Sequence, residues 1–360
     1  MKNIIEYIKD KSYYLLGGIV IVIILLIIIN ACSNSSGSYD KIEQKMVNAA
    51  KSYYASHKKN LPKEESGTVK VTINTLIEAE LLKEVKDPNN KDQDCSGYVE
   101  VTKVGKEYSY TPFLVCKGNY EPKYLTDIVK ESKQDEYGNG VYEMGGEYVY
   151  RGDDVKNYVS FNNQLWRIVK IDKENNIELV YNIKDNSLKS AWDSRYNSEI
   201  DRDYGITTDY LQSDIRKTLD KFDDEKLNED AKARLVKKDI CVGKKALEAA
   251  ESATDECSIT QNEKVGLLVI SDYKNASLDE NCTRYDNRSC INRNYLSNSE
   301  INSWLLTTVS DNTYEAYYID EEIKVTKANR VRNIYPAVYL NKNTIVVSGK
   351  GTVDKPYKIK

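Results

Sequence analysis

The sequence has little of what most enzyme active sites require. His57 is the only histidine in 360 residues, which excludes a histidine-based catalytic triad and a histidine-rich metal site. Its place at the end of an amphipathic pattern indicates a solvated helix-end residue. No glycine-rich phosphate loop and no cofactor fingerprint occur. We therefore expect no cofactor and no catalytic residues, and favour a binding protein over an enzyme.

An excess of charge of one sign is also missing. The chain has 52 basic and 56 acidic residues, a formal net charge of -4, and the two signs are mixed along the sequence. Nucleic-acid binding needs a strongly basic face. We expect no nucleic-acid partner.

A long apolar run is present near the N-terminus. Leu15–Ile29 contains only Leu, Ile, Val and Gly, and with its neighbours it approaches the roughly 20 residues that span a bilayer. Lys2, Lys9 and Lys11 precede it, so the positive-inside rule places the N-terminus in the cytoplasm and the rest outside. This predicts a cytoplasmic segment 1–14, a transmembrane anchor 15–32 and a linker 33–38, in a single-pass protein of the cell membrane.

An alternative keeps this topology and changes the anchor. Residues 29–32, Ile-Asn-Ala-Cys, resemble a lipobox, in which Cys32 is lipidated after cleavage. The Ser/Gly-rich residues 33–38 fit the tether that follows such a site. We prefer the uncleaved anchor because the apolar run is long enough to span.

The remaining cysteines form an even set of three sequence-local couples. They are Cys95 with Cys116, Cys241 with Cys257, and Cys282 with Cys290. No CxxC or Cys/His spacing suggests zinc, so disulfides in an oxidising compartment are the better interpretation. Sequence alone leaves the connectivity open; we expect local pairing.

Residues 39–118 carry signals for a small α+β module. A helical pattern runs from Tyr39 to near Lys59, and a second helix is predicted over Asn74–Leu82 with Asn74 as N-cap. Two alternating strands, 98–102 and 108–111, flank a turn at Gly105 and predict a hairpin. The element order, Leu76-Ile77 before Lys86-Asp87-Pro88, and Cys95 with Cys116 resemble pilins and pseudopilins over residues 15–118. The resemblance implies a subunit of a pilus or secretion machine as one alternative function.

After a polar, glycine-bearing linker at 119–146, residues 147–360 form a larger domain. We predict a meander of strands 158–161, 165–171 and 177–181, and a helix after Thr208 or Asp209. We also predict a buried strand Val265–Ile270, a helix Asn298–Leu306, and a closing hairpin of 335–340 with 344–347.

Short motifs in this domain resemble an uncharacterised domain of clostridial and other Firmicutes surface proteins. They are Tyr158-Val159, Leu165-Trp166-Arg167-Ile168, Gly266-Leu267-Leu268, Ser271-Asp272-Tyr273, Ser303-Trp304-Leu305 and Pro336–Leu340. The spaced Trp, Gly and Pro landmarks also resemble the C-type-lectin-like fold. The expected fold class is therefore α+β: one N-terminal transmembrane helix, a pilin-like α+β module, and a larger α+β domain.

Tyrosine is the compositional outlier, with 29 copies against three Phe and three Trp. Rigid rings with polar tips suit recognition of sugars or protein surfaces. We expect recognition loops around 183–210 and 272–298, with Tyr196, Tyr204 and Tyr285 as candidate ligand contacts. The tryptophans we assign to the core.

Two acidic loops, 193–205 and 87–94, hold oxygen ligands that suit calcium but match an EF-hand poorly, so we favour solvated loops. Arg151-Gly152-Asp153 spells an integrin-binding tripeptide, which we interpret as ordinary turn chemistry.

The leading hypothesis is a membrane-anchored surface protein that binds a glycan or a host or neighbour-cell protein. The alternative enzyme is a carboxylate-dependent hydrolase of wall glycans, which needs two acids facing one cleft.

Overall fold

The computed structural model describes residues 39–64, 67–182, 188–245, 257–282, 288–297, 302–320 and 322–360. The chain divides into two compact units, the first ending at Pro122 and the second spanning Lys123–Lys360. We call them unit 1 and unit 2.

Unit 1 packs one long helix and one short helix with a three-stranded sheet. Helix α1 covers 39–56 and α2 covers Ile73–Glu78; the strands are β1 (Thr68–Thr72), β2 (Lys86–Asp87), β3 (Asn90–Asp94), β4 (Ser96–Val104) and β5 (Glu107–Val115). The antiparallel order is β1-β4-β5, with β2 and β3 paired separately. Met46, Leu76, Val99 and Leu114 are fully buried, because each lies on the apolar side of its element.

The predicted hairpin of unit 1 is confirmed. Strands β4 and β5 pair along their whole length around Gly105. Cys95 and Cys116 form a disulfide at the open end of this hairpin. The second helix begins earlier than predicted, because Thr72 and not Asn74 is its N-cap: the Thr72 hydroxyl accepts the Thr75 N–H at 3.1 Å.

Unit 2 contains most of the strands. Its helices are α3 (Leu125–Glu131), α4 (Asp214–Lys226), α5 (Glu229–Arg234) and α6 (Ile270–Asn275), with 3₁₀ turns at Tyr210–Gln212 and Arg288–Ile291. Its first strands are β6 (Lys123–Tyr124), β7 (Gly140–Met144), β8 (Glu147–Arg151), β9 (Tyr158–Phe161), β10 (Gln164–Ile171), β11 (Ile177–Tyr181) and β12 (Lys189–Ala191). The others are β13 (Lys238–Lys245), β14 (Cys257–Glu263), β15 (Val265–Gly266), β16 (Ser303–Val309), β17 (Glu315–Asp320), β18 (Glu322–Lys327), β19 (Val331–Asn333), β20 (Ala337–Leu340), β21 (Ile345–Ser348) and β22 (Tyr357–Ile359).

Two mixed sheets organise these strands. The larger sheet has the order β15-β20-β11-β10-β9-β22-β21-β6, with β8 on β10 and β7 on β8. The predicted meander β9-β10-β11 is confirmed as its centre. The smaller sheet has the order β12-β19-β16-β13-β14, and β17 and β18 extend from β16. Residues 119–146, predicted to be a linker, hold β6, α3 and β7.

The core of unit 2 includes all three tryptophans, as predicted. Trp166, Trp192 and Trp304 are at most 1% exposed. Trp166 contacts Phe161, Tyr181 and Phe222 through their rings. Helix α4 buries Ile215, Leu219 and Phe222 as one stripe, because these residues recur at helical spacing.

Three predicted elements of unit 2 are wrong. Residues 303–306, predicted as the end of a helix, belong to strand β16. The predicted strand Val265–Ile270 is β15 only as far as Gly266, and Ile270 already begins α6. The last two apolar segments do form strands, but β20 pairs with β11 and β15 while β21 pairs with β22 and β6, so they make no hairpin.

The predicted fold class also needs correction. In the part of the chain that the structure describes, strand (39%) exceeds helix (23%), so the fold is richer in β-sheet than we predicted. None of the helices in the described residues is long and apolar enough to cross a membrane. The segment 15–32 and Cys32 lie outside the described residues.

Candidate functional site

Residues 193–209, which follow β12, form a surface segment that we call the tyrosine loop. Its first residue, Asp193, is fully buried. The Asp193 carboxylate accepts the N–H groups of Arg195 and Ile206 and the Arg195 Nε–H, at 2.8 to 3.1 Å. Arg195 also donates to the Asp209 carboxylate at 2.9 Å. One buried acid therefore joins the beginning and the end of the loop.

Asn197 and Gly205 fix the middle of the loop. The buried Asn197 amide donates to the Gly205 carbonyl at 3.0 Å and to the Thr313 hydroxyl at 3.1 Å. Gly205 has a φ of 85°, and a Cβ there would lie 2.2 Å from the Asp193 carbonyl oxygen and 2.8 Å from the Ala328 Cβ. Only glycine fits this close approach.

Two predicted ligand contacts project from this support. Tyr196 is 52% exposed, and its hydroxyl hydrogen-bonds to Asp201. Tyr204 is partly exposed, and its ring packs on Tyr314 with 5.6 Å between the two ring centroids. The Lys327 ammonium lies over the Tyr204 ring, 3.6 Å from the ring centroid. The hydrogen bond and charge of Lys327 lower the pKa of the Tyr204 phenol. The third predicted contact, Tyr285, lies outside the described residues.

The second predicted recognition region, around 272–298, is built differently. Helix α6 occupies its start, and Cys282 and Cys290 form a disulfide. Tyr273 and Tyr295 are buried, so they belong to the core. Cys241 is also disulfide-bonded; the side chain of Cys257 lies outside the described residues.

In both acidic loops, the buried carboxylate accepts hydrogen bonds from the surrounding fold. Across the described ranges, no group of three or more His, Cys, Asp or Glu side chains is placed to hold a metal ion. The Asp193 carboxylate accepts the hydrogen bonds from Arg195 and Ile206 that are given above. In unit 1, the buried Asp87 accepts hydrogen bonds from the Tyr39 hydroxyl, the Asn89 N–H and the Asn119 amide at 2.7 to 2.8 Å.

The Arg151-Gly152-Asp153 tripeptide is part of the framework. Arg151 donates to the Ser277 carbonyl through Nε and Nη2, and the backbone of Gly152 pairs with Asn294. A Cβ on Gly152 would meet the Asn139 Oδ1 at 2.1 Å. The motif is therefore a structural turn, in agreement with our interpretation of its sequence.

A buried charged cluster, which we call the Lys170 cluster, lies elsewhere in unit 2. The Lys170 Nζ is 2.7 Å from the Asp272 Oδ1, 3.5 Å from the Glu178 Oε2 and 3.8 Å from a Glu147 oxygen. The side chains of Glu178 and Asp272 are only 3% and 4% exposed, and that of Lys170 16%. Sheet register creates part of the cluster, because Lys170 on β10, Glu178 on β11 and Tyr339 on β20 are successive cross-strand partners.

Burial and the neighbouring charges set the protonation of this cluster. Burial, followed by repulsion from Asp272, raises the pKa of the Glu178 carboxyl to about 8. Burial by itself would lower the pKa of Lys170, but Asp272, Glu178 and Glu147 hold it well above the usual value. Burial and Glu178 raise the pKa of the Tyr339 phenol. At neutral pH, therefore, the buried Glu178 carboxyl keeps its proton beside the charged Lys170 ammonium.

The Lys170 cluster was not predicted from the sequence. The signal was present: Lys170 interrupts the apolar run of β10, and Glu178 interrupts that of β11. A charge inside a buried strand requires a partner. No local pattern pointed to Asp272, which is 102 residues from Lys170.

The chain was compared with protein families, curated proteins and solved structures. No family model matches the chain, and no match was found among the curated proteins or the solved structures.

Proposed function

We propose that the protein is an extracytoplasmic binding protein, held at the cell membrane by its N-terminal segment, that recognises a ligand through the tyrosine loop. The observation that carries this proposal is the contrast within the loop. Its buried residues, Asp193, Asn197 and Gly205, fix the backbone, while Tyr196 is exposed and Tyr204 is partly exposed. A rigid support for exposed aromatic side chains reduces the entropy that binding would otherwise cost.

A glycan is the ligand class that the loop fits best. Sugar rings present apolar C–H faces that pack on aromatic rings, and hydroxyl groups that need polar partners. Beside the tyrosines the loop offers both: Lys327 contacts Tyr204, and Asp201 contacts Tyr196. The location is supported by the apolar run 15–29 and by the disulfides, which persist in oxidising compartments.

The test is a glycan array and a host-protein array probed with the full chain in detergent. We expect saturable glycan binding that Tyr196→Ala and Tyr204→Ala each weaken about tenfold or more, as for aromatic residues at the centre of interfaces. Tyr137→Ala is the matched control, because Tyr137 is 70% exposed in unit 2 outside the loop, and it should bind like the wild type.

Two outcomes would contradict the proposal. Binding that all three variants retain would place the site elsewhere. Hydrolysis of purified cell wall, abolished by one Asp or Glu substitution, would show the alternative enzyme. Binding to a protein on the array, with the same loss in the loop variants, would keep the site and change the ligand class.

A further inference from the structure

We propose that Lys170 and Asp272 form a covalent amide bond within unit 2, with Glu178 as the acid–base group that moves the proton. This intramolecular cross-link joins β10 to α6 across 102 residues. It is a modification of the folded chain, and it does not depend on the ligand proposal.

Proximity is the first support. The Lys170 Nζ lies 2.7 Å from the Asp272 Oδ1, so the amine and the carboxyl group that it would attack are already in contact, which removes most of the entropic cost of bringing them together. The Asp272 side chain is held there, because its Oδ2 accepts the Val269 N–H at 3.1 Å. Lys170 lies on the central strand β10, and Asp272 lies in the first turn of α6.

The second support is the third buried side chain. Glu178 is 3% exposed, and its Oε2 has no hydrogen-bond partner of good geometry among the described residues, although it lies 3.5 Å from the Lys170 Nζ. A buried carboxyl that keeps its proton near neutral pH is suited to general acid–base catalysis.

The reaction balances without any added reactant. Transfer of one ammonium proton converts the ion pair into a neutral amine and a neutral Asp272 acid. The Lys170 nitrogen attacks the Asp272 Cγ and forms a tetrahedral intermediate. Glu178, which is protonated at the start, gives its proton to the leaving hydroxyl group and then takes one from the nitrogen. A C–N bond forms, a C–O bond breaks, one water molecule leaves, and Glu178 regains its initial protonation state.

Burial favours the product. Two charges with little access to water are costly even when paired, whereas the amide is neutral and the Glu178 carboxyl, hydrogen-bonded to Tyr339, remains protonated. The same contacts keep Lys170 mostly charged, so the reactive tautomer is a minor one and the reaction follows folding slowly.

Peptide mapping of the full, folded chain by mass spectrometry tests the proposal. We expect a branched peptide that joins the segments containing Lys170 and Asp272, lighter than their sum by one water molecule. Lys170→Arg and Asp272→Ala should each remove it. Glu178→Gln, which preserves shape, should slow its formation about a hundredfold or more, as expected for loss of an acid–base group.

The chain supplies a matched internal control. Lys238 contacts Asp172, and these side chains are 19% and 6% exposed, but the second carboxyl there, Glu174, is 73% exposed. These peptides should be recovered unlinked in the same digest. The proposal is overturned if the Lys170 and Asp272 peptides also stay unlinked in the aged wild type. Unchanged linkage in Glu178→Gln would overturn the role of Glu178. The peptide map of the wild type alone shows whether the cross-link forms, even if a variant fails to fold.

Discussion

At the scale of single residues, Gly205 links the fold to the proposed site. Its φ of 85° lies in the left-handed region, and the Asp193 carbonyl and the Ala328 side chain occupy the space of a Cβ. Gly145 offers a comparison in the same unit, because its φ is 60° and nothing lies within 4 Å of a Cβ there. A side chain at Gly145 would meet conformational strain only, whereas one at Gly205 would meet both strain and steric overlap.

We predict that Gly205→Ala lowers the free energy of unfolding of unit 2 by about 3 kcal/mol or more, since both strain and displaced backbone contribute. Gly145→Ala should cost only about 1 to 2 kcal/mol, from conformation alone. Denaturant unfolding followed by tryptophan fluorescence measures this, because all three tryptophans lie in unit 2. Equal losses for the two variants would contradict the close approach at Gly205.

At the scale of elements, helix α4 begins later than predicted, because the buried Ser213 is its N-cap. Ser213, fully buried, accepts the Arg216 N–H at 3.2 Å and donates to the Tyr210 carbonyl at 2.6 Å. Thr208, one of the two residues after which we predicted the helix to begin, is exposed and precedes a 3₁₀ turn. We predict that Ser213→Ala costs about 1 kcal/mol of stability, the usual value for a lost N-cap, and that Thr208→Ala costs nothing measurable. The reverse order in denaturant midpoints would show that the helix is capped at Thr208.

The elements also show what local patterns can predict. Hairpin β4–β5 and meander β9–β10–β11 were predictable, because their partners are adjacent in sequence and their turns carry Gly or Asn. Strand β16 was not: all seven of its residues are buried, so no alternation distinguishes it from a helix. Its neighbours on the smaller sheet, β13, β17 and β19, cover it on both edges.

The candidate sites divide in the same way. Tyr196 and Tyr204 were predictable as exposed aromatic residues in a polar loop, whereas their supports, Thr313 and Ala328, are more than a hundred residues away in sequence. The Lys170 cluster depends on register across three strands and on a distant helix. Contacts of this kind arise from tertiary packing, which one sequence does not encode locally.

At the scale of the whole molecule, the lysine bias before the apolar run predicts which side of the membrane each part occupies. Protease added to intact protoplasts should digest the chain beyond Cys32 and spare the N-terminal 14 residues, which detergent should then expose. Two epitope tags, one before Lys2 and one after Lys360, show whether each end of the chain is protected from the protease. Protection of the C-terminal tag in intact protoplasts would refute the proposed location.

Cys32→Ser distinguishes the two forms of attachment within that experiment. An uncleaved anchor needs no cysteine, so the variant should keep its membrane attachment, its size and its N-terminal tag. Lipidation at Cys32 requires cleavage before that residue, so the wild type would already lack the N-terminal tag and the variant would retain it. Because the apolar run approaches the length of a membrane span, we expect the tag on both proteins, and its absence from the wild type alone would establish the lipid anchor instead.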